Sequence, residues 1–144
     1  MRKISTELNH ADLIKYAFFK DYHLPKELSI VNLTQERILM TIKNSVNLSM
    51  VSISRSIGLE KGPFSQSVDK LVDLGLVERV RSESDRRLIR LHLTDKGVDL
   101  ANQVEESMEQ HFALKRDLLT AEELDELFTA LTSLNKIAQI IISK

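Results

Sequence analysis

Five arginines fall within twelve residues: Arg79, Arg81, Arg86, Arg87 and Arg90, with Asp85 among them. Guanidinium groups at that density suit one kind of chemistry. They bind phosphate oxygens, and they enter a narrow nucleic-acid groove where negative potential is concentrated. The surrounding pattern gives them a support. Ile89, Leu91 and Leu93 alternate with Arg90 and His92, the period of a strand with one apolar face. Residues 76–81 (LVERVR) read as a second short strand, and residues 82–86 are polar enough to join the two. The result is a two-stranded ribbon with an arginine-rich tip. Thr94 stands directly after it, placed to cap a helix, with Asp95 in the first turn.

Other chemistry is poorly provided for. There is no cysteine, which excludes disulfides, thiol catalysis and cysteine-based redox sensing. The four histidines, His10, His23, His92 and His111, form no i, i+4 pair. His111 has Glu105, Glu106 and Glu109 nearby, but a carboxylate-rich helix face is ordinarily solvated, so no metal is expected. His92 reads as structural. Gly58 and Gly62 frame a turn without the Gly-Lys-Ser/Thr that a phosphate loop needs. No Ser-His-Asp set or carboxylate pair stands out, so the expectation is a binding protein with no cofactor rather than an enzyme. Aromatic residues make up only 5% of the chain, with no Trp, which argues against a sugar or base-stacking site.

The net charge of −1 and pI of 6.4 do not look like those of a nucleic-acid binder, but the distribution does. Residues 98–144 carry nine acidic and four basic side chains, whereas residues 49–97 carry seven acidic and nine basic. A local basic patch is what phosphate contact requires. No apolar run reaches membrane-spanning length and the first ten residues lack a signal-peptide core. A cytoplasmic protein without a membrane partner is expected.

The 144 residues, 42% of them hydrophobic, read as a single domain rich in helix. A first helix is predicted over residues 11–22. A second opens at Leu33-Thr34-Gln35-Glu36 with Thr34 as its cap, and residues 44–48 form a turn. Ser49 caps a third, over residues 50–57, which Gly58 ends. A fourth starts at Gly62-Pro63 with Pro63 in the first helical position, buries Phe64, Val68, Leu71 and Val72, and ends at Gly75. The ribbon follows, then a fifth helix from Asp95 to about Leu118. Thr120 to Glu123 is a capping box for a sixth. Leu124, Leu127, Leu131, Leu134, Ala138 and Ile141 lie along that last helix in alternating steps of three and four residues, a heptad-like seam. Helices three and four make a helix-turn-helix and the ribbon makes it winged. The flanking helices carry stripes that need a partner, and a second copy of the chain is the simplest one.

At this level the chain resembles the MarR family of bacterial transcription regulators. The likeness is carried by Leu33-Thr34-Gln35-Glu36, by Val68-Asp69-Lys70-Leu71 leading to Gly75-Leu76-Val77, by Asp85-Arg86-Arg87, and by Leu93-Thr94-Asp95-Lys96-Gly97. It covers residues 30–100 by motif and the rest by helix order. It implies a mainly α (α+β) winged helix-turn-helix fold with six helices and a two-stranded wing. It implies a triangular homodimer joined through the N- and C-terminal helices, residues 1–32 and 98–144, with residues 33–97 as the DNA-binding lobe. Helix four would enter the major groove of a palindrome's half-site and the wing the adjacent minor groove. Sequence-specific binding of double-stranded DNA follows, as a repressor.

The resemblance also assigns residues. Arg87 aligns with the wing arginine that probes the minor groove, and Asp85 with the aspartate that orients it, with Arg86 beside them. Arg81 and Arg90 either contact phosphate or sit in solvent. Ser65 and Gln66, placed in the first turn of helix four, face base edges, and Gln66 stands where many relatives carry Arg or Lys. Lys61 and Lys70 suit phosphate, and Ser49 serves as a cap, a phosphate donor or both. Phe18, Tyr22, Met40, Met108 and Phe112 line a pocket for a small amphipathic or aromatic effector, or are ordinary core. Two alternatives stay open: a winged helix used for protein interaction, and a metal-responsive regulator.

Overall fold

The computed structural model describes residues 1–45 and 49–143. The order is α1 (Ile4–Phe19), a 3₁₀ turn (Lys26–Leu28), α2 (Leu33–Lys43), α3 (Met50–Ile57), α4 (Lys61–Asp73), β1 (Val77–Arg81), β2 (Ile89–Leu93), α5 (Asp95–Arg116) and α6 (Ala121–Ser143). The expected class holds: six α-helices and a two-stranded antiparallel sheet among the described residues. The chain forms two compact units, His23–Met108 and Met1–Tyr22 together with Glu109–Lys144.

In the first unit, α2, α3 and α4 bury Ile38, Leu39, Ile53, Phe64, Val68 and Leu71 to 2% exposure or less. Removing each from water contributes about 1.5–3 kcal/mol. The start of α2 differs from expectation. Its cap is Asn32, not Thr34: Asn32 Oδ1 accepts from the Gln35 N–H at 2.8 Å, and Gln35 Oε1 accepts from the Asn32 N–H at 2.8 Å. Only Asn32 stands three residues before an amide that can return the bond. Glu36 on α2 is also buried, and that burial raises its carboxyl pKa. Of the predicted turn at residues 44–48, residues 46–48 lie outside the described residues.

Ser49 caps α3 as expected, its Oγ accepting from the Ser52 N–H at 3.2 Å. Gly58 ends α3 at φ 78°, a conformation that a side chain strains. Helix α4 begins at Lys61 behind Glu60, so Pro63 is its third residue rather than its first. Proline is tolerated there because the first-turn N–H groups have no helical acceptor. Ser65 and Gln66 therefore fall in the second turn, not the first.

The wing pairs Val77 with Leu93, Arg79 with Leu91 and Arg81 with Ile89. Leu76, placed in the strand by its sequence pattern, precedes it and is fully buried. The segment Thr94 to Gly97 fastens the start of α5 to the end of α4. Thr94 Oγ1 donates to the Gly75 carbonyl at 2.6 Å and accepts from the Gly97 N–H at 3.0 Å. Lys96 Nζ donates to the Leu74 carbonyl at 2.9 Å. A Cβ on Gly97 would collide with the Leu76 carbonyl oxygen, a backbone atom that cannot swing aside. Gly97→Ala is therefore expected to lower stability by about 1–3 kcal/mol, read as a lower denaturation midpoint at unchanged m-value.

In the second unit, α1 starts seven residues before the predicted residue 11 and stops at Phe19, where the Lys20 N–H donates to the Tyr16 carbonyl. The Thr120–Glu123 capping box forms, with bonds of 2.9 and 3.1 Å. Hydrogen bonding to the carboxylate from the Thr120 backbone N–H and from its side chain holds the Glu123 carboxyl below its ordinary pKa. Neither α1 nor α6 buries a residue. Phe128, Leu131, Leu134, Ile137, Ile140 and Ile141 of α6 are all exposed, so its apolar surface is wider than the heptad seam predicted.

Candidate nucleic-acid interface

The sequence makes three amphipathic pieces, α3, α4 and the ribbon, and packing them on one core leaves a cleft between them, floored in part by Met50, Val51, Phe64, Leu88 and Ile89. The cleft has a volume of about 520 Å³. Ser49, Ser54 and Arg55 of the α3 segment line it, with Lys61 and Ser65 of α4 and with Arg87 of the wing. Three cations and three hydroxyls thus face one concavity, and none of its lining residues is a carboxylate. An anionic strand is the ligand such a surface suits.

The wing tip is ordered by its own side chains. Asp85 Oδ1 accepts from the Arg87 N–H at 3.0 Å and lies 3.5 Å from the Arg87 guanidinium. Asp85 therefore aims Arg87, whose side chain is 93% exposed. Arg81 Nη1 donates to the Arg86 carbonyl at 2.6 Å, which braces the loop from within. Arg79 pairs with Asp69 of α4, tying ribbon to helix. Arg90 is half-buried on β2 and forms an isolated antiparallel bridge with Ser49, joining the wing to the start of α3. Ser49 Oγ also donates to Ser52 Oγ at 3.0 Å, so its proton is already engaged in the cap.

The structure thus gathers Ser49, Lys61, Ser65 and Arg87 in the cleft, with Asp85, Arg86 and Arg81 building the wing tip. Gln66 and Lys70 lie on the exposed face of α4, outside the cleft lining. Arg55 was missed by sequence reasoning. Its signal was available: it is the one cation on α3, off the stripe of Ile53 and Ile57.

Residues 31–88 match the model of the MarR family. Over that stretch the chain is similar to the MarR family, and its helices and ribbon form a winged helix. The match ends within the wing, before β2. Solved structures of the same fold include a MarR transcriptional regulator from Methanosarcina mazei Go1. It is 23% identical with a TM-score of 0.75, covering 94% of this chain and 99% of that one. A mutant MarR from E. coli complexed with operator DNA is 24% identical with a TM-score of 0.64, covering 92% and 99%. The PcaV transcriptional regulator from Streptomyces coelicolor, in complex with its natural ligand, is 18% identical with a TM-score of 0.64, covering 94% and 93%. At these identities the likeness is one of fold.

The five residues considered for an effector divide between the units. Phe18 and Phe112 meet edge to face at 5.6 Å and line a cavity of about 280 Å³ with Phe19, Leu127 and Phe128. Tyr22 packs on His111 and Phe112 and does not line that cavity. Met40 and Met108 belong to the other unit, where they pack against its core. His111 Nε2 is 2.9 Å from the Lys20 carbonyl, and no metal-holding group of three His, Asp or Glu occurs among the described residues. Among them, too, no helix is long and apolar enough to cross a membrane.

Proposed function

We propose that this chain is a DNA-binding transcriptional regulator whose winged helix engages duplex DNA through the cleft of α3, α4 and the wing. The observation that carries this is the convergence of Arg55, Lys61 and Arg87 on a concavity without a carboxylate among its lining residues. The fold it shares with a MarR protein complexed with operator DNA supports the same reading. Helix α4 lies in the major groove, Lys61 and Lys70 meet phosphates, and Arg87 enters the minor groove.

The operator is palindromic, and the regulator binds it as a homodimer that represses transcription. Residues 33–97 form the DNA-binding lobe, and residues 1–32 and 98–144 supply the dimer surface, since α1 and α6 expose apolar faces that a monomer leaves wet. A small amphipathic or aromatic molecule acts as effector at the Phe18–Phe112 cavity, whose lining also includes Lys15, Glu109 and Arg116. It works by unequal affinity for two states of the dimer.

Titration of a labelled random duplex across a salt series tests the electrostatic part. With about six phosphates neutralised, affinity should fall roughly 10³-fold between about 50 and 200 mM salt. No binding at low salt, or binding indifferent to salt, would favour a protein-interaction module instead.

A further inference from the structure

Helix α4 offers few groups that can read a base. Phe64, Val68 and Leu71 are buried, and the outward face carries Gly62, Pro63, Gln66, Asp69, Lys70 and Asp73. Asp69 is engaged with Arg79, which holds that arginine on the ribbon. Lys61 is the first residue of the helix and lines the cleft, a position suited to phosphate. Lys70 stands one turn beyond Gln66 and presents a single point charge. Guanine is read by two donors aimed at O6 and N7, for which an arginine fork is the best match, and α4 contains no arginine. Adenine needs one donor and one acceptor in a plane. In the first two turns of α4, only the Gln66 amide supplies that pair.

We infer that Gln66 is the specificity-determining residue of α4, and that it selects adenine at one major-groove position of each half-site. This rests on the DNA-binding reading above and adds to it the chemical identity of the base. A hydroxyl such as that of Ser65 accepts several bases and adds little discrimination. Gln66 is exposed, so its replacement leaves the core of the lobe intact.

Selection of tight-binding duplexes from a random pool tests this, using the full-length protein, Gln66→Ala and Gln66→Arg. Wild type should enrich sites with one adenine per half-site that Gln66→Ala no longer demands. On the wild-type site, Gln66→Ala should bind about tenfold more weakly. Gln66→Arg should move the preference at that position from adenine to guanine. Enrichment by Gln66→Ala of the same adenine, or a site whose preference does not change in either variant, overturns the inference while leaving DNA binding in place. Failure of the wild type to retain any duplex overturns both readings together.

Discussion

A protein carrying Leu134→Glu and Ile141→Glu is expected to sediment as a monomer and to bind a two-half-site duplex at least about 100-fold more weakly than wild type. Both positions lie on α6, at 56% and 69% exposure, so neither change disturbs a packed core. The helix also exposes Phe128, Leu131, Ile137 and Ile140, and a helix apolar on so many sides is stable when something covers it. In a homodimer that cover is the second copy, and two like charges introduced on each chain would oppose it. The DNA effect follows from linkage of half-sites. When one lobe is bound, the second binds at high effective concentration, which raises affinity by about 10²–10⁴ over a single lobe. Retained helicity would show that the winged-helix unit survives. A dimer that persists in the double variant, or a monomer with undiminished affinity, would contradict the account.

Arg87→Ala should weaken specific binding by about 1–3 kcal/mol and reduce the salt slope by about one. The side chain stands 93% exposed, so unfolding should be unchanged and the whole effect should appear in binding. The magnitude reflects pre-organisation: Asp85 bonds the Arg87 backbone and lies beside its guanidinium, which fixes the side chain before it meets the groove. Arg87→Lys should recover only part of the loss, because an ammonium keeps the charge and loses the planar fork. Unchanged operator affinity in Arg87→Ala would remove the minor-groove role.

Much of this fold was legible because its signals are local. Ser49 before an amphipathic run, Gly58 after it, the Thr120–Glu123 box and the alternation from Ile89 to Leu93 all act within four residues. Boundaries failed where two local signals competed. Asn32 and Thr34 are both cap types, and the reciprocal Gln35 amide decides between them. Pro63 fits the whole first turn, so it did not fix the start of α4 or the turn that holds Gln66. The sequence places the end of α1 at residue 22, but the chain leaves the helix at Lys20 and places Asp21 at φ 66°. At the site, the arginine cluster was visible in the sequence but its division of labour was not. That Arg79 binds Asp69, that Arg81 braces the loop, and that Arg55 joins the cleft depend on contacts made across elements.

Sequence-specific recognition of DNA is tested by competing the DNA beside this protein's own gene against random duplex as salt rises. Specific contacts depend less on counterion release than nonspecific ones, so the account predicts that total affinity falls while the preference for the gene-adjacent DNA persists or grows. Equal affinity for both duplexes at every salt concentration would contradict it.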